Sequence, residues 1–123
     1  MKIRAILPCL LGAALLAAPA GAATVEEVER LLASSETAQG ALALARQQAA
    51  DGQLLEALAS AERARFFDPK NKPARLLRAQ LLCRLDDPQG AALEWDRLKK
   101  GDYKKAEWRA AKAECPALFG QGG

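Results

Sequence analysis

The apolar positions beyond residue 24 follow a helical period. They recur three and four residues apart in segments of about 10–15 residues, the spacing that places side chains on one face of an α-helix. β-Branched residues are scarce, and no stretch alternates apolar and polar positions for long, as a half-buried strand would. The pattern therefore predicts an all-α fold.

Capping and helix-breaking residues separate these segments. Thr24 and Glu27 form a capping box at the start of the first helix, and Asp87 is suited to cap the fifth. Gly52 can end a helix in the left-handed conformation, whereas Pro69 disfavours the helical conformation of the residue before it. Six helices are predicted, over residues 25–34, 38–50, 53–67, 73–85, 87–99 and 102–114.

The predicted helices repeat along the chain at a fixed offset of 34. Helices joined by short turns can form a bundle or a stack of repeating hairpins, and a fixed sequence period favours the stack. The period makes the second, fourth and sixth helices equivalent, and likewise the third and fifth. The pairs that match at this offset include Leu42 and Leu76, Ala45 and Ala79, Ala57 and Ala91, and, one step further, Ala79 and Ala113.

A helix–turn–helix repeat of this length resembles the tetratricopeptide repeat. The segment ALALARQQAADGQLLEALASAERARFFDP carries Ala45 in its first helix, Gly52 in the turn, and Ala57 and Ala64 in its second helix. The three alanines are expected where the paired helices cross, because a larger side chain there would separate them. The resemblance implies a short solenoid of helical hairpins, with an N-terminal capping helix over 24–36, two repeats over 38–102, a C-terminal capping helix over 103–115 and a flexible tail over 116–123.

The last predicted helix is expected to cover the apolar end of the stack. Its basic side chains are interpreted as a solvated outer face, with an acidic partner as the less favoured interpretation. Trp95 and Trp108 are expected to pack inside rather than to stack on a ligand. The inward side is predicted to hold Tyr103, Ala106, Ala110 and Ala113, and the outward side Lys104, Lys105, Arg109 and Lys112.

Residues 1–23 have the pattern of a secretory signal peptide. Lys2 and Arg4 precede an apolar run over residues 5–18 that is too short to span a bilayer, and the small-residue stretch APAGAA follows. Cleavage is expected after Ala22 or Ala23, with an uncleaved anchor as the alternative. The remaining chain has the length of one small domain and is expected in the periplasm or outside the cell, without stable membrane insertion.

Removal of this leader leaves two cysteines, Cys83 and Cys115. An even number of cysteines in an oxidising compartment favours a disulfide between them. The alternative is a pair of buried free thiols, because cysteine is also a good small core residue.

Charge and composition exclude several classes of function. Without Lys2 and Arg4 the net charge falls from +3 to +1, which argues against a nucleic-acid partner. The charge is uneven, with six acids and two bases over residues 24–58 but nine acids and fourteen bases over residues 59–123. The chain has no histidine, no Cys-x-x-Cys, no phosphate-binding glycine loop and no nucleophile elbow. We therefore expect no enzymatic activity, no cofactor and no metal.

The resemblance to tetratricopeptide repeats implies a protein-binding scaffold, in which the first helices line a concave groove that accepts a peptide or a helix. The leading hypothesis is an adaptor or assembly factor that binds another envelope protein or peptide. The alternative is a structural module that associates with further copies of itself. The groove is expected to present Gln39, Leu42 and Arg46 from one helix and Leu76, Gln80 and Arg84 from the next.

Overall fold

The computed structural model describes residues 21, 23–34 and 36–120. Within them the fold is all-α, as predicted, and contains no strand. The predicted leader, apart from residues 21 and 23, lies outside the described residues. The helices are α1 (Val25–Ser34), α2 (Ala38–Ala50), α3 (Leu54–Phe67), α4 (Lys72–Arg84), α5 (Pro88–Asp96), α6 (Lys105–Ala113) and α7 (Pro116–Phe119), with a 3-10 turn over Lys100–Asp102.

Short polar side chains start four of these helices. The hydroxyl of Thr24 accepts a hydrogen bond from the backbone N–H of Glu27 at 3.2 Å, and Asp87 accepts one from Gly90 at 2.8 Å. After α2, Gly52 adopts a φ of +78°, the left-handed conformation expected at a helix end. The remaining two caps are Thr37 before α2 and Asn71 before α4, each 2.9 Å from the backbone nitrogen it accepts from.

The helices form a stack of hairpins. α2 packs against α3, and α4 packs against α5, with a turn of three residues inside each pair. α2 also contacts α4, and α4 contacts α6, so that the first helices of successive pairs lie side by side. The short α7 contacts both α5 and α6. The helices α6 and α7 therefore form a shortened third pair, where the sequence indicated a lone helix.

Small side chains form the contact between α2 and α3. Ala45, Ala57 and Ala64 are all fully buried, as the predicted helix crossing requires. Their core neighbours include Ala61 of α3, and Leu81 of α4 fills the space beside them. Because an alanine side chain is a single methyl group, the two helices approach closely and leave no room for a longer side chain.

The predicted inward face of the last long helix is wrong. Ala106, Ala110 and Ala113 are exposed, so Ala113 does not occupy the place of Ala45 and Ala79. α4 begins 34 residues after α2, which is one full repeat, but α6 begins only 33 residues after α4. Because each residue turns a helix by about 100°, the register of the first two pairs does not continue into α6. The side turned toward the core carries Trp108, Ala111 and Cys115 together with the half-buried Tyr103.

The C-terminal segment, for which a flexible tail was predicted, contains a short helix. Pro116–Phe119 form the single turn of α7, and the ring of Phe119 lies 5.0 Å from that of Trp95, edge to face. Proline suits the first turn of a helix because its missing N–H has no partner there anyway. Residues 116–120 are thus part of the packed end of the stack, and the rest of the predicted flexible tail lies outside the described residues.

Candidate functional site

The six residues predicted to line the groove divide into two groups. Leu42 and Leu76 are only 6% and 2% exposed and belong to the core, which corrects their assignment to a binding surface. They lie on the side of α2 and α4 that packs against the second helices, as expected of large apolar residues. The four polar residues are surface-accessible: Gln39 and Arg46 on α2, and Gln80 and Arg84 on α4.

The polar residues on the first helices connect neighbouring helices. The side-chain amide of Gln80 donates to Glu114, just beyond α6, at 3.4 Å. The guanidinium of Arg84 donates to the carbonyl oxygen of Ala49 on α2 at 3.1 Å. Arg46 on α2 is the equivalent of Gln80 on the neighbouring α4, and Gln80 contacts Glu114. We call this surface, with Gln39 and Arg84, the first-helix face.

The two cysteines lie at the end of this face. The Sγ atoms of Cys83 and Cys115 are 2.00 Å apart, at disulfide distance, and their Cα atoms are 5.2 Å apart. The indole N–H of Trp95 donates to the Sγ of Cys115 at 3.2 Å in the buried core. The pair therefore joins α4 to the end of α6, and Trp95 of α5 contacts it through the hydrogen bond to Cys115.

A second surface, which we call the basic pocket, lies at the C-terminal end of the stack. Four cations and one aromatic ring surround a cavity of about 210 Å³. The 3-10 turn contributes one lysine, and successive turns of α6 contribute the other four side chains. The lining residues are Lys100, Lys105, Trp108, Arg109 and Lys112.

Aromatic packing fixes the wall of the basic pocket. The rings of Tyr103 and Trp108 stack with centroids 5.5 Å apart, and Trp95 meets Trp108 edge to face at 5.0 Å. The ammonium group of Lys112 lies 4.5 Å from the ring centroid of Phe119. The sequence predicted packing for Trp108, and the structure adds that one side of its ring also borders the pocket.

A buried carboxylate, which the sequence analysis did not single out, holds the middle of the stack together. Glu94 of α5 is only 4% exposed and lies within ion-pair distance of Arg65, Arg78 and Arg97. Burial lowers the pKa of Arg78, but its hydrogen bonds and charge interactions with Glu94 and Glu62 outweigh this, so the pKa lies above its ordinary value. The sequence feature that could have identified Glu94 as buried is the repeat offset, because it pairs Glu94 with Ser60, which is also buried.

A shallow groove of about 240 Å³ separates α1 from α2 and is lined by residues such as Arg30, Ala43 and Gln47. Beside it, Val25 and Val28 of α1 are 74% and 43% exposed. The helix α1 thus packs on α2 but keeps part of its apolar side at the surface.

The first-helix face and the basic pocket are both lined mainly by polar and charged side chains. Among the residues that the structure describes, no group of three or more His, Cys, Asp or Glu side chains is placed to hold a metal ion. Over the same residues, no helix is long and apolar enough to span a membrane. What both surfaces offer is hydrogen-bond donors and positive charge. No protein-family model, curated protein or solved structure matches the chain.

Proposed function

We propose that this protein is a non-enzymatic binding module of the tetratricopeptide type, which captures a segment of another envelope protein along its first-helix face. The polar side chains on the neighbouring first helices α2 and α4, with Gln80 bonded to Glu114 just beyond α6, carry the proposal. Arg46 is exposed and has its guanidinium available to a partner. An adaptor or assembly factor needs a rigid surface of this kind, because preorganised side chains lose little entropy on binding.

We further propose that the module acts outside the cytoplasm after removal of residues 1–23. The charged start and short apolar run of the sequence support export. The disulfide distance between Cys83 and Cys115 is compatible with an oxidising compartment. Mass spectrometry of the exported protein tests this, and recovery of a chain that begins at Met1 would contradict it.

In-cell photo-crosslinking tests the binding surface. A photo-reactive amino acid at position 46 or 39 should capture the same partner, since both positions are exposed on α2. The control is position 59, which is exposed on α3, the second helix of the pair. Replacement of Arg46→Glu together with Arg84→Glu should weaken capture while the helical circular dichroism is retained. Equal capture from position 59 would place the binding surface elsewhere.

Self-association is the second candidate, and the exposed valines of α1 favour it. Val25 and Val28 present apolar surface that a second copy can cover, as neighbouring units do in helical repeat stacks. Light scattering over a range of concentrations decides between the candidates. A monomer mass at all concentrations argues against self-association, whereas a mass that rises with concentration and falls after Val28→Lys supports it.

A further inference from the structure

We propose that the basic pocket binds the carboxylates of an acidic peptide segment, supplied by the protein partner. This inference rests on the proposed function, because it identifies the chemistry of the partner and a second place where it is held. It adds a site distinct from the first-helix face, since the pocket is formed by the 3-10 turn and α6 alone.

The charge of the pocket is not neutralised by nearby acids of the chain. Asp102 pairs with Lys72 at 2.9 Å, and Glu114 accepts from Gln80 at 3.4 Å. The third nearby acid, Glu107 of α6, is exposed and forms no ion pair with a described residue. In the described part of the chain, no ion pair joins an acid to the cations of the pocket: Lys100, Lys105, Arg109 and Lys112.

Helix stability accounts for Lys112, which lies in the last turn of α6, but not for the lysines at the start of this helix. Lys104 is the N-cap of α6 and Lys105 is its first residue, and no side chain caps this helix end. The N-terminus of a helix carries partial positive charge, so cations there are unfavourable and an anion is favourable. The lysines therefore lower the stability of the α6 N-terminus, and a carboxylate bound there would raise it again. A conflict of this kind between residue choice and helix stability is typical of functional surfaces.

The shape and walls of the pocket fit a side chain better than a free small molecule. Its volume of about 210 Å³ lies below the roughly 300–1,000 Å³ of small-molecule sites. Arg109 can bind a carboxylate through two parallel hydrogen bonds, and the ring of Trp108 gives the adjoining methylene groups a flat apolar wall. Aromatic and arginine side chains around a small pocket are the usual anchors of protein interfaces.

A peptide fits this surface better than an anionic membrane does. Binding to a lipid surface normally combines positive charge with apolar side chains that enter the bilayer. The exposed large apolar residues of the described chain lie on α1, α3 and α5, whereas α6 and α7 contribute none. The pocket therefore offers charge and one partly buried ring, which suits carboxylates presented by a polypeptide.

Fluorescence anisotropy of a labelled octaglutamate peptide tests the proposal on the purified protein. We expect binding at low salt that weakens as salt screens the charges, and no binding of an octaglutamine peptide. Arg109→Glu should weaken binding about tenfold or more, because it replaces a charge-assisted donor by a repelling carboxylate. Arg30→Glu is the matched control, since it makes the same change of charge at an exposed position of α1, which packs on α2 at the other end of the stack.

The comparison of the two variants determines the outcome. Equal weakening by Arg109→Glu and Arg30→Glu would mean attraction by overall charge and would overturn the proposal, as would unchanged binding by both. Loss of self-association in Arg109→Glu, seen by light scattering, would also overturn it, because the occupant would then be a second copy. Arg46→Glu tests the two surfaces separately. If this variant binds octaglutamate normally but loses partner crosslinking, both proposals are supported. If it loses octaglutamate binding, the anion site lies on the first-helix face and the pocket proposal is wrong.

Discussion

The first hairpin and the C-terminal end of the stack are held together in different ways. Between α2 and α3 the core consists mainly of alanine, with no aromatic side chain in it. Around α5, α6 and α7 the core contains Trp95, Trp108 and Phe119, together with the cysteine pair. Length explains much of the difference: α2 and α3 have 13 and 14 residues, whereas α6 has nine and α7 has four.

The comparison shows that small side chains suffice only where helices are long. Two long helices make many close contacts, and each buried alanine adds to a continuous interface. A helix of one or three turns is marginal by itself and buries little area, so its position depends on large rings and on covalent attachment. The same rings form the wall of the basic pocket, which links the stability of this end to its binding surface.

Removal of the cysteine pair should lower the free energy of unfolding more than any other change to either region. Replacing Cys83→Ser and Cys115→Ser opens a link across a sequence separation of 32 residues. On the chain-entropy model this lowers the free energy of unfolding by about 3–4 kcal/mol. Urea denaturation of the variant and of the parent protein, without reductant, measures the difference.

Hydrogen exchange of the double cysteine variant identifies the helices that lose stability. Amides of α6 should lose more protection than amides of α2 and α3, because the pair ties α6 to α4 and leaves the alanine interface untouched. Dithiothreitol should destabilise the parent protein and leave the double variant unchanged. Equal loss of protection in α2 and in α6 would show that the two ends do not differ as we argue.

Enlarging an alanine should have the next largest effect where the alanine is buried, as Ala57 is, and little effect where it is exposed, as Ala113 is. Ala57 of α3 is fully buried, so Ala57→Leu should lower the free energy of unfolding by about 1–3 kcal/mol through overpacking. Ala113 of α6 is exposed, so Ala113→Leu should change it by no more than about 0.5 kcal/mol. Thermal or urea denaturation of the two variants measures both values.

A control within α3 separates packing from helix propensity. Ala59 is exposed on the same helix as Ala57, and alanine and leucine differ little in helix propensity. Ala59→Leu should therefore be nearly neutral. A large effect of Ala113→Leu would restore the register in which Ala113 is equivalent to Ala45 and Ala79, and would contradict the position of α6 in the structure.

The helices of this protein are largely predictable from its sequence, whereas the position of α6 is not. Caps and breakers such as Thr24, Asp87 and Gly52 act locally, so the start and end of each helix follow from a few neighbouring residues. The orientation of α6 depends on how many residues the preceding turn uses. α5 ends at Asp96 and α6 begins at Lys105, so residues 97–99 and 102–104, which the pattern assigned to helix, belong to the connection between them.

The candidate surfaces were predictable in part for a similar reason. The sequence period pointed to positions on the first helices, but it did not distinguish the exposed Arg46 from the buried Leu42 four residues earlier. The sequence period indicates which helices are equivalent, but it does not indicate which side of each helix faces the core. The basic pocket needed three-dimensional information, because its five residues surround a cavity only after Trp108 is held between Tyr103 and Trp95.

The smallest expected effect concerns pH at the C-terminal end. Burial, and secondarily the charge of Asp102, raises the pKa of Tyr103 above its ordinary value of 10.0. The neutral phenol donates to the carbonyl oxygen of Lys72 at 2.9 Å, a contact that its ionisation removes. Because the folded state holds this proton more tightly than the unfolded state, the contribution is complete below pH about 10 and is lost as pH rises through the folded-state pKa. Tyr103→Phe lacks both the proton and the hydrogen bond, so the difference in unfolding free energy between the parent and this variant should shrink above pH about 10. Urea denaturation of both proteins from neutral to alkaline pH tests this, and a difference that stays constant across the range would show that Tyr103 does not ionise more readily on unfolding.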